Sequence, residues 1–148
     1  MDELSLLVGA AVSCLLGGVF PWISAEVVVV GTALLVPPAG IPALVLACAL
    51  GQMASKAGVY GLTRVAPHRL PGRLRHLLSR ADRLRGRRHL VAVMVLPSAL
   101  VSLPPFYLVT IACGATRLPF ALYAVLGLVG TTTRYAVLAW LSITLSSS

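Results

Sequence analysis

Apolar residues fill this chain in long runs punctuated by prolines. Leu4 to Phe20 is the first run, stopped by Pro21-Trp22, and Ser24 to Val36 is the second, stopped by Pro37-Pro38. At 1.5 Å per residue, a helix of the second run's length covers about 20 Å, against a hydrocarbon core of about 30 Å. It is too short to cross a bilayer, and the first run is at the limit. Two apolar helices joined at a proline predict a re-entrant hairpin over 4–36 that enters and leaves by one face. Such a break is tolerated only where protein or a watery cavity satisfies the freed backbone groups. Gly40 to Leu62 follows and is long enough to span. Its small residues Gly51, Ser55 and Gly58 recur at i, i+4 and i+7, a spacing that lets another helix approach closely.

The next stretch changes character. Leu74, Leu77, Leu78, Ala81 and Leu84 share one helical face between Leu70 and Arg88, and arginines occupy the rest. This pattern predicts an amphipathic helix lying on a membrane surface, with its arginines over anionic headgroups. A solvated orientation signal fits the same residues. Nucleic-acid binding does not, because there are no interleaved aromatics and the flanks are apolar spans.

After the basic stretch the first pattern returns. Residues 90–116 form a second hairpin: Leu90 to Leu103 is apolar, broken by Pro97 and ended by Pro104-Pro105, and Phe106 to Thr116 is again short. Residues 118–145 then read as a second spanning helix, with Gly127 and Gly130 as small contacts and Arg134 inside it. Pro21 precedes Gly31 as Pro104 precedes Gly114, and Gly51 with Lys56 in one half is matched by Gly130 with Arg134 in the other. If the first hairpin returns to the outer face, the helix at 40–62 runs inward, the second hairpin enters from the cytoplasm, and the last helix runs outward. The halves are then inverted repeats whose hairpin tips meet near the midplane, the plan of secondary transporters. The expected fold is one all-α integral membrane domain, 1–148. Each half is a re-entrant hairpin plus a transmembrane helix, with the basic amphipathic segment 64–89 between them.

Composition strengthens this picture. Of the 148 residues, 58% are hydrophobic and 11% charged, with a mean hydropathy of +0.94, far too little polar surface for a small soluble domain. Nine arginines and one acid, Asp82, lie between Arg64 and His89, so this segment carries a charge equal to the whole formal +8. By the positive-inside rule it is the cytoplasmic segment of a multi-pass membrane protein. The acidic start, MDELSLL, argues against a cleaved signal peptide. Cys14, Cys48 and Cys113 lie in separate apolar runs without metal or redox spacing and read as buried hydrophobes.

Few residues are candidates for chemistry. Glu26 comes two after Ser24, a plausible N-cap, which puts it in the first turn of the short second helix, where anions are stabilised. A carboxylate at depth still costs about 2.5–3.5 kcal/mol and ordinarily faces a cavity or a partner. It is a proton or substrate site, a protonated group that ties the Pro21-Trp22 break together, or a group exposed at the interface. Arg134 lies deep in the last helix, as a substrate contact or a structural partner of Glu26. Lys56 can snorkel toward the headgroups, and Arg117, at the second hairpin's exit, reads most simply as an interfacial anchor. Enzyme chemistry is not expected. His68, His76 and His89 all sit in the basic segment, Glu26 has no second intramembrane carboxylate, and no Gly-rich phosphate loop appears. No metal or cofactor is implied.

The runs PWISAEVVVVGTALL, GQMASKAGVYG, LPPFYLVTIACGATRLPF and VGTTTRYAVLAWL, in this order and spacing, resemble the DedA (VTT, or SNARE-associated Golgi protein) family, and most of all its short YqaA-like branch. The likeness runs from about Phe20 to Leu141. It implies two facing membrane-embedded hairpins in an inverted repeat. It also implies a lipid transporter or flippase that moves a phospholipid or undecaprenyl phosphate, with proton coupling. By position, Glu26 matches the acidic residue of the first hairpin and Arg134 an arginine of the final helix. Pro104 and Gly114 match the turn and small exit residue of the second hairpin. The segment Val93 to Pro105 lacks the arginines that larger members place around a proline there. If those arginines grip a lipid phosphate, this chain uses Arg134, Arg117 and Lys56, or handles something else. Two alternatives stay open: a small proton-coupled exporter of hydrophobic cations, and a non-transporting scaffold that recruits partners through its Arg-rich face. Expected partners are membrane lipids and their anionic headgroups. The small-residue faces suit a homodimer and intramolecular packing equally.

Overall fold

The computed structural model describes residues 2–19, 24–69, 72–81, 83, 86–101 and 106–148. Pro21 and Pro104, the expected hairpin turns, lie outside the described residues, as does Asp82. Seven α-helices follow one another among those described. They are α1 (Glu3–Val19), α2 (Ala25–Ala33), α3 (Ile41–Val65), α4 (Gly72–Ala81), α5 (Arg88–Val101), α6 (Phe106–Ala115) and α7 (Phe120–Ser146), with 3-10 turns at Pro38–Gly40 and Pro67–Arg69. No strand occurs among the described residues.

Two helical stretches are long and apolar enough to cross a membrane: Pro38–Val65, of 28 residues, and α7, of 27. At 1.5 Å per residue each reaches about 40 Å, more than the hydrocarbon core. The core helix of a soluble protein buries most of its large apolar side chains, whereas α7 leaves Leu122, Val125, Val129, Val137, Trp140 and Leu145 exposed. Such a surface suits a hydrocarbon solvent.

The chain divides into two compact units, Met1–Ser55 with Thr131–Ser148, and Lys56–Gly130. Both long helices contribute to each unit.

In the first unit α1 packs on α2 and lies along the first part of α3. A Cβ on Gly40 would overlap the Glu3 carboxylate, one on Gly51 the Ala11 carbonyl oxygen, and one on Gly18 the Ser55 hydroxyl. Positions 3, 11 and 18 of α1 thus meet positions 40, 51 and 55 in rising order, so α1 and α3 run parallel. The chain returns through α2, only 9 residues long. Glu3 sits in the first turn of α1, where the helix dipole favours a carboxylate. Cys14 and Cys48, expected as buried hydrophobes, are wholly buried.

In the second unit α5 packs on α6, and α4 packs on α6 as well. A Cβ on Gly130 would come within 2.6 Å of Ala99 Cβ and 3.2 Å of the Leu96 carbonyl oxygen. One on Gly114 would meet Thr63 Cβ at 2.8 Å and the Tyr60 carbonyl oxygen at 2.9 Å. The core centres on Tyr123, wholly buried, whose hydroxyl hydrogen-bonds Thr110 Oγ1 at 2.8 Å.

Several expectations need correction. The amphipathic helix expected over 70–88 is α4, Gly72–Ala81. Gly86 lies in a turn and a new helix starts at Arg88, because glycine in a helix interior costs about 1 kcal/mol relative to alanine. α4 also has a tertiary partner in α6. Pro97 does not break the second hairpin's first helix, and α5 continues through it to Val101. A proline removes one helical hydrogen bond, a loss that packed apolar helices tolerate. Gly31 and Gly58 are exposed, and a Cβ on either would meet nothing within 4 Å, so neither is required for packing here.

Candidate functional site

The first unit brings together the two most informative charges in the sequence. Ser24 takes the N-cap position of α2 with φ −78° and ψ 110°, the extended conformation that starts a helix. Its hydroxyl does not cap the helix. It donates instead to Glu26 Oε2 at 3.4 Å. Glu26 falls in the first turn of α2, and its other oxygen, Oε1, pairs directly with Arg134 Nη2 of α7. The carboxylate therefore has three stabilising neighbours: a guanidinium, a hydroxyl and the positive end of a short helix.

Neither partner is sealed away. The Glu26 side chain is 45% exposed and that of Arg134 22%. A structural ion pair in a protein core is normally enclosed on all sides, whereas this one presents a polar face to whatever lies beside it. Tyr135, next in sequence, is buried. The arrangement can hold one proton at Glu26, or release the Arg134 guanidinium to an incoming anion.

The remaining candidates are dispersed. Lys56 is only 6% exposed, so it does not snorkel: its side chain is packed within the protein. Arg117 is exposed and occupies a left-handed backbone position, φ 55°. It closes α6 in a Schellman turn, in which the Leu118 N–H donates to the Cys113 carbonyl at 3.0 Å and the Arg117 N–H to the Gly114 carbonyl at 3.2 Å. Gly51, Gly114 and Gly130 each mark a close helix approach.

Sequence reasoning missed the polar lock of the second unit. The Tyr60 hydroxyl donates to the Leu118 carbonyl and accepts from Arg64 Nη1 at 2.8 Å. Its ring stacks on Tyr123 with centroids 5.1 Å apart. The partners lie 58 positions apart, and no local spacing signals the pairing. Among the described residues, no group of three or more His, Cys, Asp or Glu side chains comes together to hold a metal ion. No family model, curated protein or solved structure matches the chain.

Proposed function

We propose that the chain is a multi-pass inner-membrane lipid transporter of the DedA type. It would move a phospholipid or polyprenyl phosphate by proton coupling through the Glu26–Arg134 site. The observation that carries this reading is the ion pair itself: an acid and an arginine from two helices meet at the start of a half-length helix while remaining partly accessible. Broken or short helices with charged groups at their ends are where secondary transporters bind substrate. The substrate class is taken from the likeness of PWISAEVVVVGTALL and VGTTTRYAVLAWL to that family.

Two features support the inverted-repeat part of the reading. In each unit the glycine of a long helix, Gly51 or Gly130, accommodates the backbone of a hairpin's first helix, at the Ala11 or Leu96 carbonyl. In addition, α1 ends alongside Ser55, about 15 Å before α3 does, as a hairpin that stops partway through the bilayer would.

The chemistry follows from charge balance. At rest, carboxylate and guanidinium neutralise each other. When a lipid phosphate monoanion takes Arg134, Glu26 loses its partner and becomes neutral by taking up a proton. The loaded site is again neutral overall, so proton and phosphate cross together without net charge, which avoids the cost of moving a bare ion through hydrocarbon. Loss of the proton on the far side restores the Glu26–Arg134 pair and expels the phosphate.

The test is movement of labelled phospholipid and of undecaprenyl phosphate across proteoliposomes, with wild type beside Glu26→Gln. Movement by the wild type that the mutation abolishes is the expected outcome. Folded wild type that moves neither lipid would sink the proposal. The cation-export and scaffold readings would then be next in line.

A further inference from the structure

The end of α3 that leads into the basic segment carries a second charged arrangement, wholly within the unit Lys56–Gly130. Tyr60 is buried there, stacked on Tyr123 and tilted at 53° against Phe120 with centroids 5.4 Å apart. Its ring cannot wander, so its hydroxyl is a fixed point. That hydroxyl grips the Leu118 carbonyl and holds Arg64 Nη1 at 2.8 Å, while the Arg64 guanidinium carbon lies 6.0 Å from the Tyr60 ring centroid, within cation–π range. Leu118 is the neighbour of Arg117. Two exposed arginines, Arg64 on α3 and Arg117 in the turn after α6, are thereby attached to one rigid centre, the first through its guanidinium and the second through the backbone of its neighbour.

Arg117 adds an independent sign. Among the described residues it is the one non-glycine with positive φ, at a Schellman position that glycine fills without steric penalty. Placing arginine there retains a guanidinium despite a backbone cost, and observed strain of this kind is grounds for asking what the side chain does. Arg64 engages one of its five N–H donors with Tyr60.

We infer that Arg64 and Arg117 form a two-guanidinium clamp for a phosphate anion, supplied either by an anionic lipid headgroup or by a free phosphate monoester. Guanidinium forks match phosphate oxygens bidentately. The clamp rests on the membrane part of the proposed function but not on transport, and it is separate from the Glu26–Arg134 pair.

The test is native mass spectrometry of the full-length protein in neutral detergent. It is titrated with phosphatidylglycerol, with phosphatidylcholine as the uncharged-headgroup control and glycerol 3-phosphate as a soluble competitor. The variants are Arg64→Gln, Arg117→Gly, and Arg80→Gln on α4, which removes a positive charge elsewhere in the basic region. Arg64→Gln and Arg117→Gly should each weaken retention of the first phosphatidylglycerol about tenfold. Their double variant should lose little more, and Arg80→Gln should bind like wild type. Displacement by glycerol 3-phosphate would assign the clamp to free phosphates, and failure to displace would assign it to the lipid. Arg117→Gly keeps the turn and should melt no lower than wild type, so its lost binding is not misfolding. If Arg117→Gly binds normally, or Arg80→Gln weakens binding as much as the others, the clamp is overturned in favour of diffuse charge. Retention is read without any lipid crossing a bilayer, so this result and the transport result succeed or fail separately.

Discussion

A carboxylate set in an apolar run needs a partner, and Glu26 has one in Arg134. The contact with Arg134 divides the possible roles of the acid by what happens when each partner is removed. If the pair is a real energetic unit, Arg134→Ala leaves Glu26 uncompensated, and the double change Glu26→Gln/Arg134→Ala restores part of the loss. Thermal or denaturant unfolding in detergent should give a coupling energy of about 0.5–3 kcal/mol, the range for residues in direct contact. Additive single changes would mean that the pair contributes nothing beyond its members. Arg134→Lys is informative in a different way. It keeps the charge but loses the planar fork, so phosphate recognition should suffer more than stability does. Export of hydrophobic cations spared by this change would favour the exporter reading. At this scale the sequence was most readable where residues were out of place. A glutamate or arginine in an apolar run stands out, whereas Tyr60, Thr110 and Tyr123 look like ordinary members of an apolar helix until the fold pairs them.

Helix packing here turns on which glycines are crowded. Gly51 and Gly58 lie on the same helix and look alike in sequence, yet a Cβ on the first would run into the Ala11 carbonyl while one on the second would meet open space. Gly51→Ala should therefore destabilise by about 1–3 kcal/mol through overpacking. Gly58→Ala should stabilise by about 0.5–1 kcal/mol through helix propensity. Opposite shifts in the thermal midpoint in detergent are the expected readout, and shifts of the same sign would contradict the packing described here. The contrast marks the limit of the sequence at this level. Proline pairs and apolar runs located α1, α2, α3, α6 and α7 to within a few residues, because both act locally through backbone geometry and solvent. The persistence of α5 through Pro97 and the burial of Lys56 depend on neighbours distant in sequence. A small-residue spacing likewise predicts that some helix comes close, but not which of its glycines that helix touches.

Membrane topology is where the local arguments combine. α2 has 9 residues and extends about 14 Å, less than half of a hydrocarbon core, so α1 and α2 together cannot make two crossings. The parallel register of α1 with α3 ends beside Ser55, in the middle of a 25-residue helix. An arrangement in which the first hairpin dips into the bilayer and returns satisfies both constraints. On that proposal the positive-inside rule puts the arginines of 64–89 on the cytoplasmic face. Three single cysteines test this, introduced in a background from which Cys14, Cys48 and Cys113 have been removed, using a maleimide that cannot cross the membrane. Asp2→Cys and Leu35→Cys should label from the same face. Ser79→Cys should label only from the opposite, cytoplasmic face. Ser24→Cys at the start of α2 is the decisive position: a hairpin that turns back within the bilayer exposes it to the reagent on the Ser79 side only as slowly as the transport cycle opens the Glu26 site to that face. Labelling of Ser24→Cys from that side as fast as the freely exposed Ser79→Cys would mean that the hairpin crosses. The half-length helix would then no longer place Glu26 at the bilayer's middle, and the transport site would lose the geometry on which it depends.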